Sequence, residues 1–261
     1  MRLLVQTNAI EVHGLSKRFG AHLAVDDLSF SIAPGEMFGF LGPNGAGKTT
    51  TIRMLTGLLR PTTGTVMVAG YDVLRQPLEA KRRTGYVPDG PFLYPKLSGW
   101  EFLGFIADLY GVPRNAAQSR SRELLALFDL EGAASDLIEG YSHGMRQKLA
   151  LAATLLHEPR VIILDEPISG LDPRSARIVK DLLTALAARG RTVLFSTHIL
   201  EIAENLCDRV GIIDRGRLVA IGSLNELRGM ARAGAASLEE IFLQLTGGAE
   251  NRELTAFLKD G

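Results

Sequence analysis

Cysteine is almost absent. Cys207 stands alone among 261 residues, which excludes an internal disulfide framework and suits a reducing compartment. It falls in a segment that reads as helical, so it is expected to be a small buried hydrophobe. Charge of one sign is also missing: 29 basic residues balance 29 acidic ones. The basic excess usual in nucleic-acid binders is therefore not there. No run approaches the ~20 apolar residues of a membrane-spanning helix. The N-terminal stretch MRLLVQTNAIEV holds an apolar core too short for a signal peptide. Together these absences predict a cytosolic chain whose membrane role, if it has one, needs a partner. Tandem repeats are missing too, and the low-complexity content is one short Ala/Gly-rich stretch, Gly229 to Ala236. What is present in quantity is apolar surface, 46% of residues, enough for a real core.

The most informative string is GPNGAGKTT, residues 42–50. It fits G-x-x-x-x-G-K-S/T as Gly42, Gly47, Lys48 and Thr49, with Pro43, Asn44, Gly45 and Ala46 between and Thr50 after. Glycines let backbone N–H groups close around phosphates, and the following helix points its N-terminal dipole at the anion. Lys48 adds a point charge for the outer phosphates, and the Thr49 hydroxyl suits Mg²⁺. A glycine-rich turn before a helix is the bland alternative. The flanks argue against it. Met37–Leu41 is an apolar run suited to a buried strand, and Thr49 to Leu55 continues as a helix that Gly57 can stop.

Further along, strand and helix textures alternate. Residues 8–40 suggest short strands, and 65–69 another. Ser98 with Glu101 forms a capping box before Phe102, Phe105, Ile106 and Leu109, closed by Gly111. Helices around 120–128 and from about Gly144 complete an α-rich insert. Strand texture returns at 161–164 and 192–195, separated by a helix that Asp172-Pro173 opens and Gly190 closes. Residues 210–213 and 218–221, around Asp214-Arg215-Gly216, read as a hairpin. A last capped helix opens at Ser237 with Glu240, and its Leu238, Ile241, Phe242 and Leu245 suit packing on this domain or a twin subunit. This alternation implies an α/β fold with a parallel sheet and right-handed crossovers.

The apolar run 161–164 leads into Asp165-Glu166-Pro167. A buried strand ending in two acids places them at the carboxyl edge of the sheet, where ligands bind in open α/β folds. Asp165 would hold Mg²⁺, and Glu166 would polarise the attacking water as general base. A strand-end turn with solvated acids is the competing reading, and the P-loop weighs against it. His198, beyond the strand 192–195, can reach a γ-phosphate and orient the water. Its local sequence alone favours a capping or core histidine.

These residues, in this order, resemble the ATP-binding subunits of ABC transporters over essentially the whole chain. GPNGAGKTT resembles the Walker A motif, and VIILDEP (161–167) resembles Walker B with its catalytic glutamate. Ser169-Gly170-Leu171-Asp172 resembles the D-loop and His198 the H-loop. Tyr141-Ser142-His143-Gly144-Met145 stands where the signature LSGGQ belongs. Phe19 occupies the place of the aromatic that stacks on adenine, with a plain core phenylalanine as the alternative. The resemblance implies a P-loop NTPase (RecA-like) core, an N-terminal antiparallel β subdomain and a helical subdomain at about 92–157, all within residues 1–228. Residues 229–261 would form an extension carrying the last helix. It also implies a head-to-tail dimer in which ATP, with Mg²⁺, lies between one chain's P-loop and the other's signature, where Ser142 and Gly144 contact the γ-phosphate.

Two positions depart from the family pattern. His143 and Met145 replace Gly and Gln in the signature, a variation that resembles the branch of exporters with ABC-2 permeases and can mark a weakened site. Asp89 stands where the Q-loop glutamine belongs. It could ligate Mg²⁺ like Thr49 and Asp165, or merely shape the turn with Gly90-Pro91, and both readings stay open. The resemblance places residues 90–97 in the groove that receives the permease's coupling helix, with Phe92, Leu93, Tyr94 and Trp100 as apolar contacts. Core packing of the helical insert is the alternative, and it suits Trp100 best. The leading expectation is an ATPase driving a membrane exporter, held at the inner face of the cell membrane by an integral-membrane permease and paired with a second ATP-binding subunit in a homodimer or heterodimer. The alternative is a soluble ABC-type ATPase acting on ribosomes or nucleic acid. Zero net charge, a single cassette and the lack of a long coiled-coil insertion weigh against it. A nucleotide sensor without turnover is a third reading, which Glu166 and His198 oppose.

Overall fold

The computed structural model describes residues 8–230 and 237–246. The strands form two sheets. The first is antiparallel, in the order β2-β1-β4-β5, with β1 (Ile10–Phe19), β2 (His22–Ile32), β4 (Thr63–Val68) and β5 (Tyr71–Asp72). Its pairing runs from Ile10 opposite Ile32 to Phe19 opposite His22. Ile10, Val12, Leu15, Val25, Leu28 and Ile32 form its buried face. β1 and β2 are ten and eleven residues long, not the short strands the sequence suggests. The register shifts between Val12 and Leu15, where Gly14 has positive φ, and again between Leu15 and Lys17, across from Asp27, which also has positive φ. These irregularities let the pair bend and continue past a glycine that reads as a break.

The second sheet has the order β10-β9-β3-β8-β7-β6. Its strands are β3 (Met37–Leu41), β6 (Thr84–Val87), β7 (Val161–Asp165), β8 (Thr192–Thr197), β9 (Arg209–Asp214) and β10 (Arg217–Gly222). The first five are mutually parallel, and β10 turns back antiparallel through Arg215 and Gly216, both at positive φ. Every residue of β3, β7 and β8 is buried, as befits strands covered on both faces.

Helix α1 (Lys48–Leu55) follows β3, and α2 (Pro77–Arg83) precedes β6. Three helices lie between β6 and β7: α3 (Gly99–Tyr110), α4 (Arg114–Leu127) and α5 (His143–Leu155). The capping box at Ser98 forms as expected: Glu101 N–H donates to Ser98 Oγ at 3.3 Å, and Ser98 N–H donates to Glu101 Oε2 at 2.8 Å. Gly111 ends α3 with φ 68. The inward face of α3 is Phe102, Leu103 and Ala107, whereas Phe105 and Leu109 face outward. α4 begins at Arg114, ahead of the predicted start, because Pro113 serves as its N-cap. Trp100 is half-buried against the helical core, as its core reading holds.

α6 (Pro173–Ala188) starts on Asp172, whose carboxylate accepts from the N–H groups of Arg174 and Ser175. α7 (Leu200–Leu206) ends before Cys207. That cysteine therefore lies just beyond a helix, not within one, with extended backbone. Its half-buried thiol packs where a Cβ on Gly39 would sit only 2.8 Å away. Burial pushes the thiol's pKa upward, so it stays protonated and serves as a packing group. α8 (Leu224–Met230) and α9 (Leu238–Leu245) close the chain. α9 carries the Ser237–Glu240 capping box, and Leu238 and Ile241 bury against α7, α8 and β9 within this same chain. The extension foreseen at 229–261 is described for 237–246 and for its first two residues. Its remaining residues, and the start of the N-terminal stretch, lie outside the described residues.

Candidate active site

The loop between β3 and α1 is shaped by its glycines. Gly45 and Gly47 have φ of 78° and 106°, and a Cβ on Gly47 would lie 2.7 Å from the Ala24 carbonyl oxygen. Gly42 lies against β9: a Cβ there would sit 2.3 Å from Ile213 O, so only glycine fits beneath the loop. The Gly216 N–H donates to Ala46 O at 2.9 Å, tying the loop to the β9–β10 turn. Lys48 is buried, and its Nζ donates to Gly42 O at 2.6 Å and Pro43 O at 3.2 Å. Burial lowers its pKa, while Glu166 and Asp165 oppose the shift by favouring the ammonium.

A cavity of about 360 Å³ opens above this loop. It gathers Phe19, Pro43, Asn44, Gly45, Ala46, Gly47, Lys48, Thr49, Thr50, Asp89, Asp165 and Glu166, predicted as site residues, together with His22 and Ala24, which were not. Phe19 is 48% exposed at the rim, with Lys17 Nζ 5.1 Å from its ring centroid, so the core reading of this ring fails. Gly42 lies underneath, and His198 joins through its Nδ1, 3.0 Å from Glu166 Oε2. Ser142 and Gly144 are not part of the cavity. Ser142 caps α5, its Oγ accepting from the Met145 N–H at 3.2 Å while its own O–H stays free to donate.

The two acids differ in setting. Asp165 is 2% exposed, and its Oδ1 accepts from Ser196 Oγ at 2.6 Å. Glu166 has left the strand, with φ 50, a backbone conformation costly for a non-glycine residue. Its N–H donates to the same Ser196 Oγ at 3.1 Å. Ser196 thus holds both acids, and the sequence reading passed over it. Its signal is register: on β8 it stands opposite Asp165. Tyr86 was also passed over. Burial, then Asp165, push its hydroxyl up to about 12, against an opposing Arg53 that donates to it, so it stays protonated.

Thr49, Asp165 and Asp89 offer hard oxygen donors to this cavity. No cluster of three or more His, Cys, Asp or Glu residues able to hold a metal occurs among the described residues.

The same architecture occurs in known proteins. The family model described as "ABC transporter" matches residues 25–169. The linearmycin resistance ATP-binding protein of Bacillus subtilis is 39% identical over 84% of this chain and 70% of its own length. The daunorubicin resistance ATP-binding protein of Streptomyces coeruleorubidus is 42% identical, again over 84% and 70%. The chain belongs to the ABC transporter ATP-binding family. A solved ATP-binding subunit of an ABC transporter covers 92% of this chain and all of its own, with 36% identity and a TM-score of 0.88. A dimeric cassette bound to ADP and Pi shares the fold at 24% identity, TM-score 0.76, over 82% of this chain and 98% of its own. The chain is an ATP-hydrolysing subunit of the ABC type. Subunits of this family dimerise and work with membrane components. Among the described residues no helix is long and apolar enough to cross a membrane.

Proposed function

We propose that this chain powers a membrane exporter by ATP-dependent pairing beneath a separate permease, at the inner face of the cell membrane. The observation that carries this is a divided site. P-loop, Asp165, Glu166 and His198 meet in one place, while Ser142 and Gly144 present a capped helix N-terminus outside that cavity. A second copy, or a related subunit, brings its own Ser142 and Gly144 to the γ-phosphate bound here. Neither half grips the γ-phosphate fully alone, so ATP holds the pair together and hydrolysis releases it. The cassette spans residues 1–228, with its helical subdomain at about 92–157.

Phe19 stacks on adenine, and the 42–50 loop cradles the phosphates. Thr49, Asp165 and Asp89 would hold Mg²⁺, which would supply positive charge to offset that of the phosphates. Lys48 turns from its loop carbonyls to the outer phosphates. Glu166 takes the proton of the attacking water at its carboxylate, and His198 holds that carboxylate in place.

An apolar groove of about 370 Å³, lined by residues including Leu55, Val73, Phe92, Leu93 and Tyr110, lies at the C-terminal end of α1, whose first turn lines the other cavity. Phe92 is 97% exposed at its edge. We assign it to the permease's coupling helix. Of the contact residues foreseen, Phe92 and Leu93 line it. Tyr94 instead folds onto α3, 5.3 Å from Phe105, and Trp100 belongs to the helical core. Pro88 and Pro91 line the groove while Asp89, between them, lines the nucleotide cavity. Asp89→Gln is expected to keep ATP binding and to change permease-stimulated turnover. Unaltered stimulation and transport in that variant would leave Asp89 as a turn residue only.

Similarity to ATP-binding subunits named for antibiotic resistance and Nod factor export supports this reading over one on ribosomes or nucleic acid. The test is Glu166→Gln, tagged and captured with Mg-ATP from detergent-solubilised cells. A co-purifying multi-span membrane protein supports the exporter, and recovery of ribosomes instead overturns it.

A further inference from the structure

His143 is the signature residue that departs from the family's glycine, and its imidazole has a definite place. A Cβ built on Gly170 would lie 3.1 Å from His143 Cδ2 and 3.2 Å from Nε2. The ring therefore lies over bare backbone at the surface, where both His143 and Gly170 are exposed, at a residue whose φ of 71° already favours glycine. One residue on, a Cβ on Gly144 would meet Leu171 Cδ2 at 3.7 Å. The start of α5 and the segment 169–172 touch through two reciprocal glycine contacts.

That segment leads directly back to Glu166. The Ser169 N–H donates to Glu166 O at 3.2 Å, and the Leu171 N–H to Ile168 O at 3.3 Å. Residues 166–171 thus form one compact turn. One end is Glu166, in its left-handed conformation and tied to Ser196 and His198. The other end is Gly170, under the His143 ring. A strained residue keeps its geometry only where its surroundings fix it. At the Gly170 end, His143 is the side chain within 4 Å of where a Cβ would stand.

We propose that His143 is a positioning residue that braces the 166–171 turn through Gly170 and so holds the Glu166 carboxylate at its working position. This rests on Glu166 acting as general base. A usual signature glycine has no side chain that could make this contact. The histidine would then be a built-in support, not a mark of a weakened site.

The test compares His143→Gly, His143→Phe, Gly170→Ala and the double variant His143→Gly/Gly170→Ala. Steady-state phosphate release is measured on the full chain with its permease. Glu166→Gln serves as the control, since retained turnover there would sink the general-base assignment and not the brace. His143→Gly is expected to lower kcat roughly ten-fold with KM for ATP unchanged, since small misplacements of a reacting group act on the chemical step. The His143→Phe variant keeps a planar ring over Gly170 and should stay within about two-fold of the parent. The added methyl in Gly170→Ala meets the ring, so removing the ring in the double variant should restore part of the loss. Hydrogen exchange of residues 166–171 without nucleotide should quicken in His143→Gly and not in His143→Phe, whatever the turnover. The proposal is overturned by unchanged kcat in His143→Gly, by phenylalanine failing as badly as glycine, by an additive double variant, or by unchanged exchange.

Discussion

Ser196 shows how much a single hydroxyl can organise. It donates to Asp165 and accepts from the Glu166 N–H, so one oxygen ties together the acid proposed to hold Mg²⁺ and the acid proposed as general base. Partners behind a metal ligand typically shift metal affinity by about ten-fold or more when removed. Ser196→Ala is therefore expected to raise the Mg²⁺ needed for half-maximal phosphate release about ten-fold, with metal-free ATP binding unchanged. A magnesium titration at saturating ATP checks this. His157 gives the clearest pH effect. It stacks on Tyr110, with centroids 3.8 Å apart, and burial pulls its pKa below the ordinary 6.5. The fold thus prefers the neutral ring, while the unfolded chain takes up a proton near 6.5. Stability from this residue is complete above that value and is lost as pH falls below it. His157→Phe keeps a stacked ring and should flatten the acid side of a Tm-against-pH curve, although it forfeits the contact with Thr84 O at every pH. The P-loop residues were legible in the sequence because each residue type there is itself the mechanism: glycine for close approach, lysine for charge, threonine for oxygen. Ser196 was not, because its partners come from strand register across the chain.

At the scale of elements, termini read more reliably than lengths or faces. The caps at Ser98, Asp172 and Ser237 are local hydrogen bonds, and local sequence specifies them. Ser98→Ala removes one N–H partner and should cost about 1 kcal/mol, seen as a lower Tm with the nucleotide site intact. The strand lengths of β1 and β2 were hidden, since nothing in the local pattern says that a bulge at Gly14 lets the pair continue. The face of α3 was half legible. Phe102 turns inward as its spacing says, but Phe105 looks outward and is covered by Tyr94 from a loop. That loop also supplies the residues that divide the two cavities, so its conformation depends on both and could not be read from composition. The start of α4 was missed because Pro113, with no side-chain hydrogen bond to give, marks it only through its fixed φ.

Across the whole molecule, the P-loop cavity and the apolar groove are linked by shared elements. Helix α1 connects them end to end, with Lys48 lining one and Leu55 the other. Gly42→Ala should show how rigid this arrangement is. The new methyl would press on Ile213 O, so β9 and the P-loop must part. ATP affinity, followed by equilibrium binding of a fluorescent ATP analogue, should fall at least ten-fold, comparable to the loss on misplacing a preorganised site by about an ångström. The position of β3 has a further consequence during synthesis. This strand carries the P-loop, yet its two neighbours are β8 and β9, made much later in the chain. At roughly 5–20 residues per second, the ribosome needs on the order of ten to thirty seconds to extend from Leu41 to Asp214. Throughout that interval the apolar strand Met37–Leu41 exists without the partners that bury it. The central strand of the finished sheet is thus an early-made apolar segment that waits for partners made far later in the chain.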